Sequence, residues 1–207
     1  MSLTRSFLWI ILFGSLIGLN ETLIGSFDMP YRSVILNSIT IFLLTIGRFK
    51  IPRAWTSILI IAIAVLFKIN SAGIQTCTVN WLLCGPTALL LIGISHEVFS
   101  SLFISKNSLK YLNYVMACSA TAILAFSLFA VMDTFILKVW DVPRLMKFIF
   151  VKSILTAITS SAISIFGLYL VRTLNKDDFL KLNPYWVNGI LSAMIIALWI
   201  FGSYVNL

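Results

Sequence analysis

Few side chains in this sequence could do chemistry, and several of them interrupt apolar runs. Glu21 closes the run that begins at Phe7, His96 and Glu97 sit together in a second run, and Asp133 sits in a third. An ionisable group in a run long enough to cross a membrane is costly to bury and is a functional hypothesis by default. Glu21, Arg32, Lys68, Asn70 and Asn80 all fall at or near the ends of such runs, as do Asn20, Asp28, Lys138 and Lys152. A set of this kind could hold a small polar or zwitterionic ligand, with Arg32 or Lys68 taking an anionic group. Water-facing loop residues and snorkelling lysines would produce the same pattern.

A second set gathers around Glu97. Arg48, Lys50 and Arg53 belong to one short connection. The expected arrangement is a structural ion pair of Arg48 with Glu97; the alternatives are a pair with Arg53 or a proton relay. His96 is the single histidine. It either ligates a haem or chlorin or is hydrogen-bonded in the interior, and the second is the ordinary fate of a lone buried histidine.

Catalytic and metal motifs are missing from the sequence. There is no HExxH, GxSxG, P-loop or dinucleotide fingerprint, and His96-Glu97 lacks the second histidine of a zincin. Cys77, Cys84 and Cys118 form no CxxC pair, so neither a metal site nor a cofactor is expected. Cys77 and Cys84 could bond if they face an oxidising compartment; otherwise they are small apolar side chains. An enzyme is not expected. An intramembrane enzyme would need two of Glu21, Asp133 and Glu97, or one of them and His96, within hydrogen-bond reach.

The elements that position these residues are membrane helices. The chain is 60% hydrophobic and 11% charged, against about 25% charged in a soluble domain, and its mean hydropathy is +1.02. Lipid must be the solvent for much of its surface. Seven apolar segments run from end to end: Phe7–Ser26, Ser33–Gly47, Ala54–Phe67, Trp81–Phe103, Tyr111–Leu137, Phe148–Val171 and Val187–Tyr204. The expectation is one integral membrane domain over residues 1–207, an all-α bundle of six to seven transmembrane helices with short loops. The second and third segments are short, so they either cross with Arg48 and Lys68 snorkelling or form a re-entrant pair. The first run resembles a signal peptide, but Asn20-Glu21 interrupts it and no small-residue cleavage site follows; an uncleaved helix is expected. Asn20-Glu21-Thr22 matches a glycosylation sequon but lies in a membrane segment.

The net charge of +8 is spread in ones and twos between segments. That pattern fits membrane-flanking loops and not a nucleic-acid surface, so no nucleic-acid partner is expected. With the N-terminus inside, one side carries Arg5, Arg48, Lys50, Arg53, Lys106, Lys110, Arg172, Lys176 and Lys181. The other carries Arg32, Lys68, Lys138, Arg144 and Lys147. The bias favours that orientation. It puts Glu21, Arg32, Lys68, Asn70 and Asn80 on the outer side.

Gly14 and Gly18 form a GxxxG, and Glu21 and Gly25 return to nearly the same helix face. Small residues let another helix approach closely. The stripe is read either as a docking surface for a partner helix or as internal packing.

The order of features over about residues 8 to 104 resembles the substrate-binding S components of energy-coupling factor transporters and membrane proteins related to them. It runs from Gly18-Leu19-Asn20-Glu21 to Met29-Pro30-Tyr31-Arg32, then Gly47-Arg48, Ile51-Pro52-Arg53 and Thr56-Ser57. It ends with Lys68, Cys84-Gly85-Pro86 and Glu97. The resemblance implies a vitamin- or metabolite-binding subunit of about six helices, taking ligand from the outer side through the first, third and fifth connections. It also implies docking through small residues of the first helix onto a transmembrane coupling subunit that carries ATPases. This chain departs from the pattern: that family commonly shows spaced alanines where Gly14 and Gly18 stand, and an extra C-terminal helix is present here.

The function expected is therefore the membrane subunit of a small-molecule uptake transporter, in a prokaryotic cytoplasmic membrane. The alternative is a non-catalytic structural or accessory subunit packed against neighbouring subunits of a larger membrane complex.

Overall fold

Backbone N–H and C=O groups that enter hydrocarbon must be satisfied within their own segment, so long apolar runs fold as helices. In the computed structural model they do so throughout. The structure describes residues 3–27, 29–71, 79–104, 111–137, 142–176 and 184–204. The helices are α1 (Leu3–Ser26), α2 (Arg32–Lys50), α3 (Thr56–Ser71), α4 (Val79–Phe103), α5 (Tyr111–Leu137), α6 (Val142–Met146), α7 (Ser153–Lys176) and α8 (Pro184–Tyr204). A π-helical turn, Lys147–Lys152, joins α6 to α7. The protein is an all-α helical membrane protein. Six of its helices are long and apolar enough to cross a bilayer, and α3 is a shorter apolar helix.

The second segment is longer than the apolar run suggested. α2 spans 19 residues because Arg48, Phe49 and Lys50 stay helical beyond Gly47. It stops where Ile51 returns its N–H to the Gly47 carbonyl, before Pro52, which has no N–H to continue the ladder. The turns that lead into α2 and into α3 are tight. Tyr31 before α2 and Trp55 before α3 both hold left-handed backbone, at φ 60° and 70°. That conformation is uncommon for aromatic side chains, and surrounding contacts must hold it.

Three of the helices packed against α3 each offer it a glycine. A Cβ on Gly14 of α1 would lie 2.5 Å from the Ile63 Cβ and 2.7 Å from the Ile60 carbonyl oxygen. On Gly47 of α2 it would lie 2.6 Å from Ile60 Cδ1, and on Gly93 of α4 2.7 Å from Ile61 Cγ1. Real Cβ atoms do not approach that closely, so the glycines set the helix spacing. Ile60, Ile61, Ala64 and Phe67 of α3 are fully buried, whereas Leu59, Leu66 and Ile69 form an exposed stripe for lipid.

Contact order along the helices gives their directions. Gly14 meets Ile60 and Ile63, and Gly18 meets Phe67; Glu21 meets Lys68. α1 and α3 therefore run parallel. α2 and α7 are also parallel, since Ser38 hydrogen-bonds Thr159 and Gly167 receives Phe42 and Ile46. α8 docks on the α1–α3 pair: Trp199 Nε1 donates to Ser15 Oγ at 2.9 Å, and its ring meets Phe67 edge-on at 5.0 Å. Most of the remaining large apolar side chains of α8, from Trp186 to Tyr204, are exposed, as lipid contact requires.

Candidate functional site

The parallel run of α1 and α3 brings Glu21 and Lys68 to one end of the bundle. Lys68 Nζ donates to Glu21 Oε2 at 2.8 Å, with side-chain exposures of 25% and 9%. Asn20, one residue before, donates from Nδ2 to the Leu36 carbonyl on α2 at 3.4 Å. Arg32 lies at the same end. Its Nη1 donates to the carbonyls of Gly25 at 3.0 Å and Phe27 at 3.2 Å. Those carbonyls belong to the end of α1, where helix C=O groups lack intrahelical donors, so Arg32 caps α1 from the start of α2.

α4 supplies the other wall beside Lys68. A Cβ on Gly85 would overlap Lys68 Nζ, so the ammonium lies close against the α4 backbone there. Pro86 follows inside the helix and denies the Leu82 carbonyl its usual N–H donor. Asn70 is exposed near the end of α3. Asn80 lies in the first turn of α4, with its side chain outside the described residues, as are those of Cys77, Cys84 and Asp133. Asp28 and Lys138 lie outside them altogether.

The expectation that Gly14 and Gly18 dock a partner helix is corrected. α3 of the same chain covers both: a Cβ on Gly18 would lie 2.7 Å from the Phe67 Cβ. A Cβ on Gly25, on the same face beyond Glu21, would meet no atom of the described residues within 4 Å. The α1–α3 contact is thus close through Gly18 and bridged by charge at Glu21.

A second charged cluster caps the opposite end of α3. Ser57 and Lys68 are eleven residues apart, about 16 Å along a helix. Glu97 of α4 accepts the backbone N–H of Trp55 on Oε1 and of Ser57 on Oε2, both at 2.9 Å. Arg48 Nη1 stands 3.2 Å from Glu97 Oε1 without hydrogen-bond alignment. The carboxylate satisfies N–H groups that a helix leaves unpaired at its start, and it meets the positive end of the α3 dipole. The two residues that sequence reasoning paired thus lie together, and the carboxylate also serves as the N-cap of a different helix.

Next to this cluster runs a buried polar chain. His96 Nδ1 is 2.9 Å from Ser57 Oγ and its Nε2 is 3.2 Å from Thr45 Oγ1. Thr45 Oγ1 donates to the Ile41 carbonyl at 2.8 Å. Its one proton is thereby used, which makes His96 Nε2 the donor and leaves Nδ1 to accept from Ser57. Cys118 lies 3.4 Å from Thr45 Oγ1 and donates to Ser164 Oγ at 3.4 Å. The chain ties α3, α4, α2, α5 and α7 together. Both ring nitrogens of His96 are occupied by hydroxyls, so the arrangement fits an interior hydrogen-bonded histidine rather than a haem ligand.

This chain was missed from sequence. Of its members only Ser164 lies in a local polar pattern, on one buried face of α7 with Ser153, Thr156 and Ser160. Among the described residues no group of three or more His, Cys, Asp or Glu could hold a metal ion. Comparison with protein families, with curated proteins and with solved structures finds no match to this chain.

Proposed function

We propose that this protein is the ligand-binding membrane subunit of a small-molecule uptake system, with the ligand held at the Glu21–Lys68 end. The observation that carries the reading is the ion pair itself. A cation and an anion from parallel helices meet near the ends of α1 and α3, and Lys68 retains a quarter of its exposure. Intramembrane charge at such a place is expensive unless it serves a ligand or a fold. Gly85 and Pro86 of α4 lie beside it, and Pro86 leaves one backbone carbonyl of that helix without its usual donor.

Under this reading that end of the bundle is the outer one, the N-terminus is inside, and the membrane is the cytoplasmic membrane of a prokaryote. The chain has no nucleotide-binding motif, so a transmembrane coupling subunit with ATPases would supply the energy, as the resemblance to energy-coupling factor S components implies. Gly14 and Gly18 are covered by α3, so such a partner would dock elsewhere.

A second reading, an accessory subunit of a larger membrane complex, draws on α8. Only Leu191 and Gly202 of its described side chains are buried, which leaves a long apolar face for a neighbour as well as for lipid.

Native mass spectrometry of the gently extracted protein separates the two. Co-purifying ATPase subunits or a bound metabolite is the expected result. A stable assembly with other membrane subunits and no ATPase would overturn the uptake reading.

A further inference from the structure

We infer that the Glu21–Lys68 end of the bundle selects a small zwitterion, which inserts its own two charges in place of the internal ion pair. The inference rests on the ligand-binding reading and names the ligand class.

Charge balance is the first argument. One carboxylate and one ammonium meet near the ends of α1 and α3, 2.8 Å apart and largely buried. A ligand with a single charge can take one partner only by stranding the other. Stranding a buried partner costs roughly a hundredfold or more in affinity. A neutral ligand offers neither charge a replacement. A molecule carrying an ammonium and a carboxylate satisfies Glu21 and Lys68 in one step.

Space and unused hydrogen-bonding capacity are the second argument. Gly25 lies one turn beyond Glu21 on α1, and a Cβ built there would meet no atom of the described residues within 4 Å. Lys68 has three N–H donors, one of which goes to Glu21. Its ammonium lies against Gly85, next to the proline that withholds a donor from an α4 carbonyl. An incoming ammonium takes the Glu21 carboxylate, and an incoming carboxylate takes the Lys68 donors. Arg32 Nη1 is committed to the Gly25 and Phe27 carbonyls, where it closes the end of α1.

Depth is the third. α3 spans 16 residues, about 24 Å, against a hydrocarbon core of about 30 Å. Lys68 lies three residues before its end. An α3 centred in the core would put the pair beneath the membrane surface, where a partner of opposite charge cannot be replaced by water at no cost.

The test is thermal unfolding of the full chain in lipid nanodiscs, with glycine, β-alanine and γ-aminobutyrate as zwitterions of increasing charge spacing. Propionate and ethylamine are the singly charged controls. At a hundred times its dissociation constant, one of the three zwitterions should raise Tm by roughly 5 °C, and neither control should. The double variant Glu21→Gln with Lys68→Met removes both charges together, which spares the fold an orphaned ion; it should fold and lose the response. A response to propionate or ethylamine that disappears in the double variant overturns the zwitterion and leaves a ligand site. A zwitterion response that survives the double variant places binding elsewhere and overturns the inference. No response to any of the three zwitterions also overturns it. The uptake reading falls separately, on the absence of ATPase subunits and of bound metabolite in the purified protein.

Discussion

Glu97 on α4 holds the first turn of α3: its two carboxylate oxygens accept the backbone N–H groups of Trp55 and Ser57, each at 2.9 Å. The same carboxylate stands 3.2 Å from Arg48 of α2. One side chain therefore ties three helices together at one end of the bundle, and it holds Trp55 in left-handed backbone. Glu97→Ala leaves two helix N–H groups and the Arg48 guanidinium uncompensated. It should destabilise the protein by about 3 kcal/mol or more. Thermal unfolding in detergent checks this. Arg48→Ala with Glu97→Ala should cost clearly less than the two single changes summed, because the pair is coupled.

The glycines of α1 divide sharply. Gly14→Ala puts a methyl group against the backbone oxygen of Ile60, and α3 must move to admit it; a loss of about 1–3 kcal/mol is expected. Gly25→Ala meets nothing and gains helix propensity, so it should be neutral or stabilising by up to about 1 kcal/mol. Unfolding midpoints of the two variants, measured side by side, decide whether α3 or an outside partner occupies the stripe.

His96 joins Ser57 to Thr45 in a fully buried position. His96→Leu removes the acceptor of one hydroxyl and the donor to the other, for an expected loss of about 2–3 kcal/mol. Thr45→Val strands His96 Nε2–H and should cost about as much. Because the two act in one chain, the double variant should fall short of the sum when unfolding is measured.

Cys118 lies in the same chain and is fully buried. With Cys77 and Cys84 replaced by serine, a maleimide should label Cys118 only after denaturation. Rapid labelling of the folded protein would mean that the α2–α5–α7 contact is open.

The seven helical segments were legible because each apolar run must satisfy its own backbone in lipid, whatever its neighbours. Ends were less legible. Arg48 and Lys50 read as the close of a segment, yet they remain helical in α2 because Arg48 is neutralised by a residue forty-nine positions away. The GxxxG announced close approach but not by which helix; that α3 fills it follows from the parallel pairing of α1 and α3. Alternating topology placed Glu21 and Lys68 at one end, but their 2.8 Å contact depends on helix rotation, which periodicity alone does not supply. The Ser57–His96–Thr45–Cys118–Ser164 chain draws one residue from each of five helices, and no local pattern encodes such a set.

Cysteine labelling from each side of a sealed vesicle tests the central arrangement most directly. In a background with Cys77, Cys84 and Cys118 replaced, single cysteines go at Met29, Asn70 and Arg53, three exposed positions. Met29 and Asn70 flank the Glu21–Lys68 end, and Arg53 precedes the far end of α3. An impermeant maleimide should reach Met29→Cys and Asn70→Cys from one side and Arg53→Cys only from the other. Labelling of Met29→Cys and Asn70→Cys from opposite sides would contradict the parallel α1–α3 pair, and with it the shared site.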